Sequence, residues 1–360
     1  MKLTFHSIAL GAIACLLSSN AHAQETEQLG DPPLLQAGED VEQVLQPQPP
    51  NIASVAIDPR NRSQVALAYQ NIYLPQGGVA SGWNGSLANC VAGSTSAAYR
   101  QAAIDRVNVY RALAGLPGTV ALFGGNQASG TEAAALIFSA NRSLSHEPPN
   151  NWTCWTQAGA SAAGNSNIAL GSGSNQAAGT GAIDLYMDDG GTGNTAVGHR
   201  RWVLYPPQAK MDSGSIPYAT QQYAANALWV LTAFGSRPAT PNGVAWPPRG
   251  YVPWQLLPDG SNRWSFSWNG ANFANTSVSM TRNGVPLGVP SYETIQNGYG
   301  DNTLVWKPQG VTYAKPAADV TYHVTISGIS SGGAPSSIGY DVIVIDPYAL
   351  SETVFSSGFD

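Results

Sequence analysis

The sequence predicts an α+β protein in two parts: a mixed helix-and-strand region to about residue 240, then an all-β region. Three observations carry this reading. Apolar residues recur at helical spacing in SAAYRQAAIDRVNVYRALAGLPG, and strict apolar–polar alternation governs DVTYHVTISGI. Between them lies PATPNGVAWPPRGYVPW, whose prolines forbid a continuous element.

Taken in order, the chain opens on MKLTFHSIALGAIACLLSSNAHAQ, with Lys2, an apolar run from Ile8 to Leu17 and the small-residue site Ala21-His22-Ala23. These are the parts of a secretory signal, and cleavage is expected after Ala23. The apolar run is short of the roughly 20 residues that span a bilayer, and no later segment is longer, so no transmembrane segment is expected. The mature protein is expected to be secreted, extracellular or periplasmic. Cys15 also permits a lipoprotein reading, although Ala12 stands where a lipid-attachment signal usually has Leu. Residues 24–52, acidic and rich in Pro and Gln, read as a flexible linker.

In the first helix Tyr99, Ala103, Val107, Tyr110, Leu113 and Leu116 form the apolar set, and Gly115-Leu116-Pro117-Gly118 ends it. A second helix fits ASGTEAAALIFSANRSLSH, with Ser129 or Thr131 as its cap and Pro148-Pro149 forbidding continuation. A third fits residues 175–188, broken by the glycines at 190–193. RWVLY around Val203 and ANALWVLTAF around Val230 read as strands.

From about residue 241 to 348 the runs are all strand-like. WSFSW places Trp264, Phe266 and Trp268 on one face, and Asn283-Gly284 makes a turn between two strands. DVTYHVTISGI places Val320, Tyr322, Val324 and Ile326 on one face, and YDVIVIDP adds a further strand. Short strands over such a length fit an immunoglobulin- or fibronectin-like sandwich. The tail at 349–360, SETVFSSGFD, reads either as a frayed terminus or as a sorting signal, resembling Phe-x-x-Gly-Phe-acid endings of some exported Gram-negative proteins.

Charged residues make up 11% of the chain, against a usual quarter or so. The net charge of -6 becomes -7 when Lys2 leaves, and no basic cluster exceeds Arg200-Arg201, which argues against nucleic acid as a partner. Loss of Cys15 leaves Cys90 and Cys154, an even pair in an oxidising compartment. A disulfide is expected, with two buried thiols as the alternative.

Of five histidines, three survive removal of the leader. Alternation puts His323 on the polar face of its strand, as a solvated residue. His146, in NRSLSHEPPNNWTCW, and His199, in VGHRRWVLYP, both flank breaks in regular structure. His146-Glu147 is no zincin motif, because Pro148 and Pro149 break the helix. GASAAG misses the nucleophile elbow at Ala163. GTGNTAVG follows a helix rather than a strand, so it implies no dinucleotide fold.

RVNVYRALAGLPG, SANRSLSHEPPNNWTCW, GNSNIALG, AIDLYMDDGG and GHRRWVLYP with its following KMDSGS resemble, in that order, the CAP superfamily, also called SCP-like. The resemblance covers roughly residues 53 to 240. It implies an α/β/α sandwich whose cleft carries two His and two acids, the His pair binding a divalent metal in several members. His146 matches the first His and His199 the second. The Gly-Glu-Asn-Ile motif is here Asn165-Ser166-Asn167-Ile168, so Ser166 replaces an acid. Asp189 stands for the second acid, with Asp188 as alternative, and Glu147 is a candidate compensating carboxylate.

The expected site is therefore a cleft of His146, Glu147, Ser166, Asn167, Asp188, Asp189 and His199. Zn²⁺ or another divalent metal on His146 and His199 is the implied cofactor, or else none. With Ser166 in place of a carboxylate, acid–base catalysis loses a partner. The leading reading is a non-enzymatic exported protein binding a small-molecule or lipid ligand, with the β-sandwich touching a surface or protein partner. A secreted peptidase-like hydrolase and a structural envelope or matrix protein are the alternatives.

Overall fold

The computed structural model describes residues 26–35, 55–232 and 234–349. The expected leader, most of the expected linker and the tail from residue 350 lie outside these residues.

Strand β1 (Thr26–Leu29) is followed by α1 (Arg62–Ala68), a π-helical turn at Tyr69–Tyr73, α2 (Leu74–Gln76) and α3 (Ala97–Leu113). Ser96 caps α3 as its side chain accepts from the Tyr99 N–H, so the predicted first helix stands with a defined start. After β2 (Ala121–Leu122), α4 (Asn126–Asn141) begins earlier than expected. Its N-cap is Gly125 rather than Ser129 or Thr131, and no side chain caps it.

Next come α5 (Gln157–Gly164), β3 (Ser166–Ser172), α6 (Gly179–Asp188), α7 (Gly198–Val203), β4 (Lys210–Ile216) and β5 (Ala224–Trp229). The expected strand at RWVLY is corrected: Arg201, Trp202 and Val203 are the second half of α7. Wholly buried from Gly198 to Val203, α7 shows no amphipathic period, so an apolar run there could not be told from a strand.

The first five strands form one sheet in the order β1-β3-β5-β4-β2, antiparallel except where β2 runs parallel to β4. One face meets α4 and α5 through Ile168, Leu170, Ile216, Ala225 and Ala227. At Gly214 an added Cβ would lie 2.1 Å from the Thr131 carbonyl carbon, so only glycine lets α4 lie this close on the sheet. The other face meets α3, α6 and α7 through Ala169, Met211 and Leu228.

The remaining strands are β6 (Val244–Trp246), β7 (Gly250–Pro253), β8 (Trp264–Ser267), β9 (Ser277–Arg282), β10 (Val285–Pro286), β11 (Ser291–Tyr292), β12 (Thr303–Lys307), β13 (Val320–Ser327) and β14 (Ser337–Ile345). They make two sheets, β10-β9-β13-β14-β7 and β11-β12-β8-β6. Trp264 against Tyr322 and Phe266 against Tyr340 carry contact between them, at ring separations of 5.9 and 6.3 Å. Asn283 and Gly284 both have positive φ in the predicted turn between β9 and β10, as a two-residue hairpin requires. His323 is half exposed and pairs with Asp341 across the strands at 2.7 Å.

Two expectations about organisation need correction. Among the described residues no strand pairing joins the first sheet to the other two, yet one cluster of buried apolar side chains runs from Val65 through Trp202 and Trp246 to Ile345. Tyr110 of α3 meets Trp246 edge-on at 5.3 Å, so the parts share a core instead of owning one each. The expected linker is not wholly a linker either. Its residues Thr26–Leu29 pair with β3, because main-chain hydrogen bonding to a sheet edge needs no apolar periodicity.

Cys90 and Cys154 form a disulfide, 64 residues apart. Trp152 and Trp155 pack with Cys154 against the α4 and α5 side of the sheet. Replacing both cysteines with serine should lower unfolding stability by about 4 kcal/mol from chain entropy, read in urea. An unchanged midpoint would show that the bond constrains nothing in the unfolded chain.

Candidate functional site

Helix α6 ends at Asp189, whose φ of 54° puts it in the left-handed region while its N–H still bonds the Leu185 carbonyl. That reversal aims the carboxylate back at the start of α7. There Asp189 Oδ1 meets His199 Nδ1 at 2.9 Å, and Oδ2 accepts the Arg200 N–H at 3.1 Å. Both Asp189 and His199 are fully buried. In the neutral imidazole a carboxylate on Nδ1 makes that nitrogen the donor and leaves the lone pair on Nε2.

The His199 ring stacks on Tyr186 of α6, with centroids 5.5 Å apart and planes 12° from parallel. The Tyr186 hydroxyl lies 3.0 Å from the Asn167 carbonyl and 2.9 Å from Asn226 Oδ1. Asn226 in turn donates to Ser213 and Ser215. Asn167 donates through Nδ2 to the His199 carbonyl at 3.1 Å. This polar network fixes the imidazole from below, from its Nδ1 edge and from its own backbone.

Two atoms of the network have no partner among the described residues: His199 Nε2 and Asn167 Oδ1, each on a fully buried side chain. Both are acceptors. A buried acceptor left unpaired costs roughly 1–3 kcal/mol, so the site calls for a hydrogen-donating or cationic group.

The other expected site residues lie elsewhere. Ser166 also has an unpartnered Oγ, but strand alternation sets it beside Ile168 and Leu170, on the α4 and α5 face. Its pairing partner Trp229 belongs to that same face, whereas Asn167 pairs with Leu228 on the α7 face. Glu147 is exposed. Asp188 accepts the Gly260 and Ser261 N–H groups at 3.1 and 3.2 Å, which makes it an anchor for the β-rich part.

His146 has both ring nitrogens against carbonyl oxygens, Nδ1 to Ala163 at 2.7 Å and Nε2 to Asp31. The next residue of that segment, Pro32, lies against Gly198, immediately before His199. The N-terminal segment thus bridges the two histidine-bearing stretches, and no contact joins one imidazole to the other among the described residues. A metal shared by His146 and His199 does not fit this arrangement, because both His146 ring nitrogens face carbonyl oxygens of the protein. No group of three or more His, Cys, Asp or Glu side chains is placed to hold a metal among the described residues.

Sequence reasoning passed over the two arginines that lock α7 in place. Arg200 donates to the carbonyls of Met187, Asp188 and Arg263 at 2.7 to 2.8 Å. Arg201 donates to those of Gln296, Tyr299 and Asp301 at 2.8 to 3.1 Å. Burial pushes both guanidinium groups down to about 10, so both stay charged at neutral pH. Their signal in the sequence was their adjacency to His199 in a chain otherwise poor in charge.

Burial pushes the Asp188 carboxyl above the usual range, against the opposing pull of the Ser261 N–H and Arg200. An acid whose folded form resists ionisation contributes most below its ordinary titration range and loses that contribution as pH rises through the folded value. Asp188→Asn keeps an oxygen for both N–H groups and carries no charge. Its unfolding stability should match the wild type near pH 3 and exceed it increasingly towards pH 7. A variant less stable than wild type at pH 7 would show that the charge itself holds the contact.

Among the described residues no helix is long and apolar enough to cross a membrane. The chain matches no protein-family model and no curated protein.

Proposed function

We propose that the chain is an exported, non-enzymatic binding protein of CAP-like type, which takes a small ligand at His199 and Asn167. The observation that carries this reading is the pair of buried, unpartnered acceptors, His199 Nε2 and Asn167 Oδ1, held in place by Asp189 and Tyr186. Acceptors of this kind select a ligand that presents hydroxyl or ammonium hydrogens, or a cation. The motif order and a sheet flanked by α4 and α5 on one face and by α3, α6 and α7 on the other support the CAP-like assignment. The paired β-sheets, read as an immunoglobulin- or fibronectin-like sandwich, supply the surface for a partner.

A peptidase is less well supported. His199 has an orienting carboxylate, but the nearby serine of β3, Ser166, belongs to the opposite face of the sheet, and Glu147 is exposed. No hydroxyl or thiol is hydrogen-bonded to His199 Nε2 among the described residues, and orientation of a base without an adjoining nucleophile does not make a hydrolase.

Native mass spectrometry of protein secreted by its own host tests the reading. The wild type should carry a non-protein mass. Asn167→Leu, which removes one acceptor at similar side-chain volume, should carry at least about tenfold less, as expected for the loss of a buried hydrogen bond. Equal occupancy in a folded Asn167→Leu protein, or an unliganded wild type, would contradict the assignment.

A further inference from the structure

The segment at residues 26–35 is held by the body of the protein in the manner of a bound peptide. Its first four residues add an antiparallel strand to the open edge of β3, in register from Thr26 opposite Ser172 to Leu29 opposite Ala169. Gly30 continues the ladder, donating to the Ile168 carbonyl at 3.2 Å, and its missing side chain leaves room for Ile168. An added Cβ there would fall 2.6 Å from that side chain.

The two prolines then fill a fitted slot. Pro32 and Pro33 are buried, while their neighbours Asp31 and Leu34 are exposed. Gly198 makes the slot: a Cβ on it would stand 2.4 Å from Pro32 Cγ, so glycine alone admits the ring. Trp202, itself fully buried, donates its indole N–H to the Pro33 carbonyl at 2.8 Å. His146 Nε2 lies against the Asp31 carbonyl, and Leu35 donates to the Gly298 carbonyl at 3.2 Å.

Strand addition supplies main-chain affinity, and a tryptophan N–H aimed at a carbonyl beside a rigid Pro-Pro pair supplies specificity. These are two established modes of peptide recognition placed end to end. Every groove element belongs to the body: β3 is also paired to β5, and α7 is pinned by Arg200 and Arg201. Residues 36–54 separate the segment from the bridge at Val55, a length that spans tens of ångströms when extended.

We propose that β3, His146, Gly198, Trp202 and Gly298 form a peptide-binding groove for extended segments in which glycine is followed, one residue on, by Pro-Pro, and that the chain's own segment occupies it in cis. A partner presenting such a segment displaces the resident one and takes its place along β3, Gly198 and Trp202. The groove rests on the contacts above and not on the ligand reading of His199.

The test keeps the whole chain. A specific protease site is built into residues 40–48, the purified protein is cut there, and a labelled peptide ETEQLGDPPLLQ is titrated against it. The cut N-terminal piece should stay with the body on gel filtration, and the labelled peptide should exchange for it saturably. Uncut protein should bind the peptide at least about a hundredfold more weakly, because the tethered segment competes at high effective concentration. A peptide with valine in place of Gly30 should lose about tenfold or more, and so should cut protein carrying Trp202→Phe, which keeps an aromatic ring but lacks the indole donor.

Equal binding of a scrambled peptide would overturn the proposal. So would loss of cooperative unfolding once the piece is removed, which would make the segment an integral strand.

Discussion

Everything in this structure turns on burying three consecutive polar side chains, His199, Arg200 and Arg201, on a helix of six residues. A buried cation is tolerable only when its donors are matched, and guanidinium groups offer five each. The acceptors are main-chain carbonyls drawn from distant parts of the chain: Met187 and Asp188 at the end of α6, Arg263 before β8, and the 296–301 loop. Satisfying α7 therefore fixes where the β-rich part sits. Arg111 follows the same rule from α3, donating to the carbonyls of Val203 at the end of α7 and of Tyr205 and Pro206 just beyond it.

That constraint also positions the site. With the arginines turned to the β-rich side, His199 is left facing Tyr186 and Asp189, and the left-handed turn at Asp189 delivers the carboxylate to Nδ1. The left-handed turn at Val197, φ 45°, starts α7 with a β-branched residue in a conformation it rarely adopts. Strain of this kind persists where surrounding contacts outweigh it, and here α7 is enclosed on every side. Rigid placement of His199 and Asn167 is what leaves their outward acceptors unmet, since neither side chain is free to turn towards another donor.

Much of this was legible in the sequence where one physical signal dominated. Alternation along 320–326 gave the β13 face and exposed His323, helical spacing gave α3, and Cys90 with Cys154 gave the disulfide. Where a segment is buried all round, periodicity vanishes, and α7 passed for a strand. Motif order set Asp189, His199, Ser166 and His146 in one cleft, whereas in the structure Asp189 meets His199 and the other two lie apart from them. Alternation along β3 puts Ser166 on the opposite face from Asn167, and the two nitrogens of His146 are taken up by the carbonyls of Ala163 in α5 and of Asp31 in the expected linker. No composition rule could have found that segment, because its hold is through main-chain groups and two proline rings.

If α7 joins the two parts by matched buried charges and one shared core, the protein must melt as a unit. Differential scanning calorimetry of the disulfide-bonded protein measures this most directly. The account predicts a single transition whose calorimetric and van't Hoff enthalpies agree. Two resolved transitions, with the β-rich part from about residue 244 melting apart from the helical part, would contradict it.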